Sequence, residues 1–265
     1  MRCCYMSDLH LETQDYRWPL PAGDVLIIAG DLCHARCLTA GPDDPAALKQ
    51  RDRVLRLADA ARGRFAHVLL VIGNHDHYEG LFGETAARLR AGLPGVTVLD
   101  NETVEIDGVR FFGGTLWADF EGRSKLDAVR RRCGEFFFVK VREADGSVRK
   151  FRPEDALAAF DATRAALTAS LAAANGRRTV VITHHAPSRQ GLNPHHVGDD
   201  LNGAYASDLD AWIAELDGVP VWVHGHTHMR RLYRIGATDV RTDARGFDGR
   251  DLSSRGFKGQ SSFEI

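Results

Sequence analysis

Five short segments of this chain carry side chains of the kinds that bind metal ions: Asp8-Leu9-His10, Gly30-Asp31, Gly73-Asn74-His75-Asp76, His184-His185 and Gly225-His226-Thr227-His228. Their donors are hard oxygens and borderline nitrogens. That mixture suits Mn²⁺, iron or Zn²⁺ better than magnesium, which favours oxygen throughout. Asp8 and His10 are two residues apart. On an extended strand that spacing turns both side chains to one side, where they can share an ion. The same alternation is expected of His226 and His228. Asp31 offers two carboxylate oxygens, one for each of two ions. Asn74 adds a neutral carbonyl oxygen and His184 another imidazole. Together these residues read as a two-metal hydrolytic centre.

Nearly every segment follows an apolar run. Residues 24–29 end at Gly30, 67–72 at Gly73, 179–183 at His184 and 219–224 at Gly225. Continuous apolar runs of this length read as strands buried on both faces. Helical patterns lie between them, at about 45–62, 82–91, 153–174 and 207–216. The third has the clearest limits: Pro153 suits a first turn, Glu154 and Asp155 its positive end, and Asn175-Gly176 a stop. Strands alternating with helices argue for an α/β layered fold. Such sheets place their sites where these segments fall, at strand ends. Shorter strands at 96–99, 103–106 and 109–114, with a hairpin at Asp107-Gly108, make the sheet system mixed. A second hairpin is expected from 232–235 and 239–242, around Gly236-Ala237.

The chain has 265 residues, 44% of them hydrophobic, and a formal net charge of −2. Those values describe one globular domain over 1–265, with residues 119–152 as an excursion from its core. The charge offers no broad basic field for nucleic acid, which is not the favoured partner. No apolar run approaches the roughly 20 residues that span a bilayer, so no membrane partner is expected. Met1 to Met6 run straight into the first motif and leave no room for a signal peptide. Five cysteines in no disulfide-like spacing point to a reducing cytoplasm. Cys33 stands near a motif, but the chemistry read here needs no cysteine nucleophile.

The blocks D-x-H, G-D, G-N-H-[D/E], a histidine, and G-H-x-H, in this order from Ser7 to about Phe247, resemble the calcineurin-like metallophosphoesterases. The resemblance implies a four-layer αββα sandwich of two mixed sheets flanked by helices. It implies a phosphomonoester or phosphodiester hydrolase acting through a hydroxide shared by two divalent ions, Mn²⁺, Fe²⁺/Fe³⁺ or Zn²⁺. By position, Asp8, His10, Asp31 and His228 would hold one ion. Asp31, Asn74, His184 and His226 would hold the other. His75 would be a catalytic histidine outside the ligand set and Asp76 its orienting partner. Many relatives carry an acid or amide three residues after the Gly-Asp aspartate, where this chain has His34.

Specificity is expected in loops over the centre: 119–152, 188–206 and 243–247. Candidate substrate contacts are His34, His185 and Arg245. The absence of a large added domain in 265 residues favours a small phosphate ester. A nuclease and a non-catalytic metal-binding scaffold stand as alternative readings.

Overall fold

A computed structural model describes residues 1–196, 198–251 and 256–265; Val197, within the 188–206 loop, lies outside the described residues. Strands β1 (Arg2–Met6), β2 (Val25–Ala29), β3 (His67–Val71) and β4 (Thr97–Leu99) pair in parallel in one sheet. Strands β5 (Glu102–Ile106) and β6 (Val109–Gly114) form the hairpin expected at Asp107-Gly108. A separate two-stranded ribbon follows, β7 (Lys140–Arg142) with β8 (Val148–Lys150). Then come β9 (Thr179–Thr183), β10 (Val221–Val223), and the second hairpin, β11 (Arg230–Ile235) with β12 (Thr238–Asp243). The second sheet has the order β11-β12-β10-β9-β6-β5. Strand β13 (Ser262–Glu264) lies antiparallel to β1 and makes the first sheet β13-β1-β2-β3-β4.

The helices are α1 (Pro45–Arg62), α2 (Thr85–Gly92), α3 (Phe120–Arg123), α4 (Leu126–Arg132), α5 (Glu135–Phe138), α6 (Pro153–Ala172), α7 (Asn202–Tyr205) and α8 (Asp210–Ala214). Asp44 starts α1 by accepting from the Ala47 amide, with Pro45 in the first turn. Among the described residues, no helix is long and apolar enough to cross a membrane.

Alternation along the strands builds four layers. In β2 and β3, Leu26, Ile28, Val68 and Leu70 face α1 and α2, packing on Val54, Leu57, Ala61 and Leu89. Their neighbours Val25, Ile27, Leu69 and Val71 face the second sheet and meet Phe111, Val180, Ile182, Val221 and Val223. On the far side of that sheet, Phe112, Val181 and Trp222 pack on Leu157, Phe160 and Leu167 of α6 and Ile213 of α8. The architecture is therefore helices, sheet, sheet, helices, with both sheets mixed. The 119–152 segment buries Phe120, Val129, Phe136, Val139 and Phe151 in this last cluster. It thus shares its apolar contacts with the sheet rather than enclosing a separate core.

Gly113 of β6 marks how closely the sheets approach. A Cβ there would lie 2.5 Å from Leu99 Cβ and 2.7 Å from Val71 Cγ1, both on the opposite sheet. Gly113→Ala is expected to lower stability by about 1–3 kcal/mol through overpacking, read as an earlier urea midpoint with an unchanged slope.

Candidate metal centre

Asp8, His10, Asp31, His226 and His228 share a backbone feature that spacing does not reveal. Their φ angles are 54°, 47°, 53°, 66° and 49°. Asp8 and His10 follow β1, and His226 and His228 follow β10, each pair on a left-handed turn rather than an extended strand. The expected extended alternation is thus corrected; both members of each pair reach one place because the chain coils there. Left-handed backbone costs about 1–2 kcal/mol per residue outside glycine and gathers at functional sites. Glycines grant the close approaches. A Cβ on Gly30 would sit 2.3 Å from His184 Nδ1, and one on Gly73 would sit 2.2 Å from Asp31 Oδ1. Neither ligand could occupy its position beside a larger residue.

These turns bring the donors together. Asp8, His10, Asp31 and His228 place one ligand atom each within 4.8 Å of one another, and so do Asp31, His184 and His226. Asn74 Oδ1 joins the second group, 3.0 Å from His184 Nε2. Asp31 belongs to both. Its Oδ2 is buried with no hydrogen-bond partner, 3.3 Å from His184 Nε2 and 3.8 Å from His10 Nε2. A carboxylate oxygen stripped of water and left without a donor is costly unless a cation meets it. The donor set and this orphaned oxygen fit divalent metal.

The imidazoles are aimed for the same purpose. His10 Nδ1 lies 2.8 Å from Glu12 Oε1, His184 Nδ1 2.9 Å from the Ala29 carbonyl, and His228 Nδ1 2.6 Å from Asp251 Oδ2. Each acceptor holds the proton on Nδ1 and leaves the Nε2 lone pair facing the cluster. His10 Nε2 and His228 Nε2 stand 3.1 Å apart. Asp8 is fixed from behind by the His226 amide, 3.0 Å from both carboxylate oxygens, and by the Ser7 hydroxyl. Burial opposes a proton on His228, yet hydrogen bonds to Asp251 and Asp8 and the charges of both carboxylates lift it to about 10. Burial likewise opposes a proton on His184, and the negative charges of Asp31 and Asp8 lift it to about 9. Burial would raise Glu12, yet its hydrogen bond with His10 and the charges of His10 and His75 push it down to about 2.

Several expected roles change. Asp76 does not orient His75. Its carboxylate accepts from the amides of Gly73 (2.7 Å), Cys33 (2.9 Å), Asp31 and Leu32 (both 3.1 Å), which binds the two strand-end loops together. The acid beside His75 is Glu12, with Oε1 3.6 Å from Nδ1. Arg245 does not point at substrate. It is 1% exposed, donates to the Leu9 carbonyl and Asp248, and lies 4.6 Å over the Trp18 ring, so it braces the turn between Asp8 and His10. His185 is buried behind His226, ring centroids 4.0 Å apart, and does not line the cleft. His34 packs beside Tyr78 and His75, at 5.6 Å and 6.3 Å, also off the cleft. Sequence reading missed Glu12 and Asp251. Glu12 had a signal, two residues beyond His10; Asp251 had none, because only the fold brings it to His228.

A family model described as calcineurin-like phosphoesterase matches residues 1–230. An uncharacterised protein, L509, of Acanthamoeba polyphaga mimivirus is 21% identical over 275 residues, covering 92% of this chain and 90% of that protein. Among solved structures, the phosphopantetheinyl hydrolase of Mycobacterium tuberculosis superposes with a TM-score of 0.60 at 17% identity, over 95% of this chain and 93% of the other. A putative 5′-nucleotidase from Staphylococcus aureus gives 0.50 at 16% identity, over 92% of this chain and 48% of the other. At these identities the structural likenesses speak for the fold.

Two measurements probe the centre. Glu12→Gln removes the charge that holds His10, and affinity for Mn²⁺ is expected to fall about 10- to 100-fold by calorimetric titration. His184 and His228 both carry protons at neutral pH when no metal is bound, since their values lie near 9 and 10. A metal must displace those protons. Apparent affinity is therefore expected to rise with pH through the neutral range, about tenfold per unit for each proton displaced. A flat profile between pH 6 and 8 would contradict it.

Proposed function

The chain belongs to the calcineurin-like phosphoesterase family, and from that membership we propose that it hydrolyses a phosphate ester at a centre of two divalent metal ions. The observation that carries the reading is Asp31 Oδ2, buried without a hydrogen-bond partner where the two donor groups meet. Asp8, His10, Asp31 and His228 would hold one ion. Asp31, Asn74, His184 and His226 would hold the other. Mn²⁺, iron and Zn²⁺ all suit this set. When bound, the ions supply a hydroxide at neutral pH and neutralise charge on the phosphoryl oxygens. The names of the solved relatives, a phosphopantetheinyl hydrolase and a putative nucleotidase, are in keeping with a phosphate-ester substrate. Five buried free cysteines suit a reducing cytoplasm.

The protein's own residues then orient the ester and handle the proton. His75 stands outside these two donor groups, in a third with His10 and Glu12, and lines the cleft above them. Its ring stacks on Tyr78 at 4.2 Å and meets His10 edge-on at 4.6 Å. Its amide donates to Asp31 Oδ1 at 2.8 Å, which locks its position to the shared ligand. Burial works against a charged ring, but the negative charges of Asp31 and Glu12 hold its pKa above the usual histidine value. In its protonated form His75 would give its proton to the departing alkoxide. Glu12 holds it from behind and Tyr78 from the side.

Chelation is expected to abolish hydrolysis of bis-p-nitrophenyl phosphate, and Mn²⁺ to restore it. His75→Ala is expected to keep its metal, measured by plasma mass spectrometry, and to lose about two or more orders of magnitude in kcat on an ester with a poor leaving group. A metal-replete wild type that turns over no phosphate ester would instead support a binding scaffold.

A further inference from the structure

The cleft over the donor cluster has two arms. Both are floored by His226 and His228 and walled by Tyr205, Phe247 and Leu201. A wide arm of about 520 Å³ runs toward Asn193, His196 and Arg250. A narrow arm of about 190 Å³ runs beneath the 119–152 segment, past His75 and Tyr78, to Glu135. Resting on the phosphoesterase reading, we propose that the substrate is a phosphodiester seated across the cluster, with its larger substituent in the wide arm and a smaller, hydrogen-bond-donating alcohol against Glu135.

The shape of the cleft is the first argument. A phosphomonoester carries one substituent and fills one arm, whereas a diester carries two and fills both. The wide arm suits a planar group. Tyr205 stacks on His226 at 4.7 Å and is 38% exposed, and Phe247 stacks on His10 at 4.0 Å. Both rings are held flat against ligand imidazoles, which fixes them as stacking surfaces.

The second argument is Glu135. It opens α5, is buried, and belongs to neither donor group. Tyr78 Oη donates to its Oε2 at a long 3.4 Å, and Asn74 Nδ2 reaches Tyr78 Oη at 3.5 Å. A carboxyl group in the arm welcomes a hydroxyl or amine; burial raises its pKa, and in its ionised form it opposes the second negative charge of a monoester. Arg132 on the same arm faces Asp199 at 3.3 Å, so its charge is already engaged. The acidic side chain thus acts by rejection as well as attraction, the usual route to specificity.

His75 also lines the narrow arm, which fixes the direction of cleavage. The oxygen of water forms the new bond to phosphorus. The P–O bond to the narrow-arm alcohol breaks, and that alcohol's oxygen takes the proton of His75. The wide-arm substituent leaves as a phosphomonoester, and water's proton returns to the imidazole.

The test compares bis-p-nitrophenyl phosphate with p-nitrophenyl phosphate on the full-length, Mn²⁺-loaded protein. The diester is expected to be favoured by at least about tenfold in kcat/KM, a typical span for pocket discrimination. Glu135→Gln is expected to narrow that ratio several-fold, chiefly by raising monoester turnover. Equal or better turnover of the monoester by the wild type overturns this inference and leaves the phosphoesterase reading standing. An unchanged ratio in a folded Glu135→Gln variant overturns it as well. Turnover of neither ester by metal-replete protein removes the phosphoesterase reading, and this inference with it. Should the variant not fold, the wild-type ratio decides alone.

Discussion

The carboxylate of Asp76 is the constraint on which the centre depends. Two neighbouring parallel strands, β2 and β3, end side by side. Beyond their ends the chain leaves the ladder, and its amides lose their strand partners. Asp76 accepts four of them, from Asp31, Leu32, Cys33 and Gly73. Buried amides need acceptors, and one carboxyl group serves all four; burial and the charge of Asp31 push its pKa up to about 7, and the bonds from Cys33 and Gly73 work against that rise. The left-handed turn at Asp31 is thereby held shut. Asp31 Oδ1 then takes the His75 amide, and Oδ2 is left to face the imidazoles. Asp76 thus sets where both Asp31 and His75 stand.

Strain and packing explain each other here. Five donor residues hold left-handed backbone, an arrangement that isolated loops would relax. They are held because they come from two sheets clamped face to face. Asp8, Asp31 and Asn74 follow strands of the first sheet, while His184, His226 and His228 follow β9 and β10 of the second. The apolar layer between them, Ile27 and Val71 against Val180 and Val223, fixes the distance across which the two ligand sets face. Contacts also cross the seam directly: His184 Nδ1 bonds the Ala29 carbonyl, and the His226 amide bonds Asp8. The metal centre is thus the polar end of the inter-sheet core.

Much of this was legible in the residues. The apolar runs before Gly30, Gly73 and His184 gave β2, β3 and β9 to within a residue, because strands buried on both faces leave no ambiguity of pattern. Pro45 and Gly63 bracket α1 over the expected span. Tertiary partners account for the departures. The expected helix at 207–216 shortens to Asp210–Ala214 because Ser207 and Leu209 donate to the Ala186 and Pro187 carbonyls instead. The strand at 219–224 shortens to Val221–Val223, since Pro220 has no amide for the ladder. Strand β13 was invisible, a three-residue segment whose partner β1 lies at the other end of the chain. At the site, residue type pointed to the side chains that gather into the donor groups, but not to their surroundings. Asp76 and Arg245 look functional in sequence and prove to be supports, because only the fold shows how many backbone groups each one satisfies.

The supports also explain why the centre tolerates so much buried charge. Asp8, Asp31 and Asp76 are all essentially inaccessible to water, as are His10 and His184. Three buried anions would repel one another in a medium of low polarity. Asp76 meets amides, Asp8 meets an amide, a hydroxyl and, at 3.4 Å, His228 Nε2, and of the three only Asp31 keeps an oxygen without a donor. Backbone and hydroxyl dipoles thus meet Asp76 and much of Asp8, and the unpartnered oxygen of Asp31 stands between two sets of imidazoles. Glu12 Oε2 is buried without a partner as well, on the acid that holds His10, so cation affinity extends to that side of the cluster.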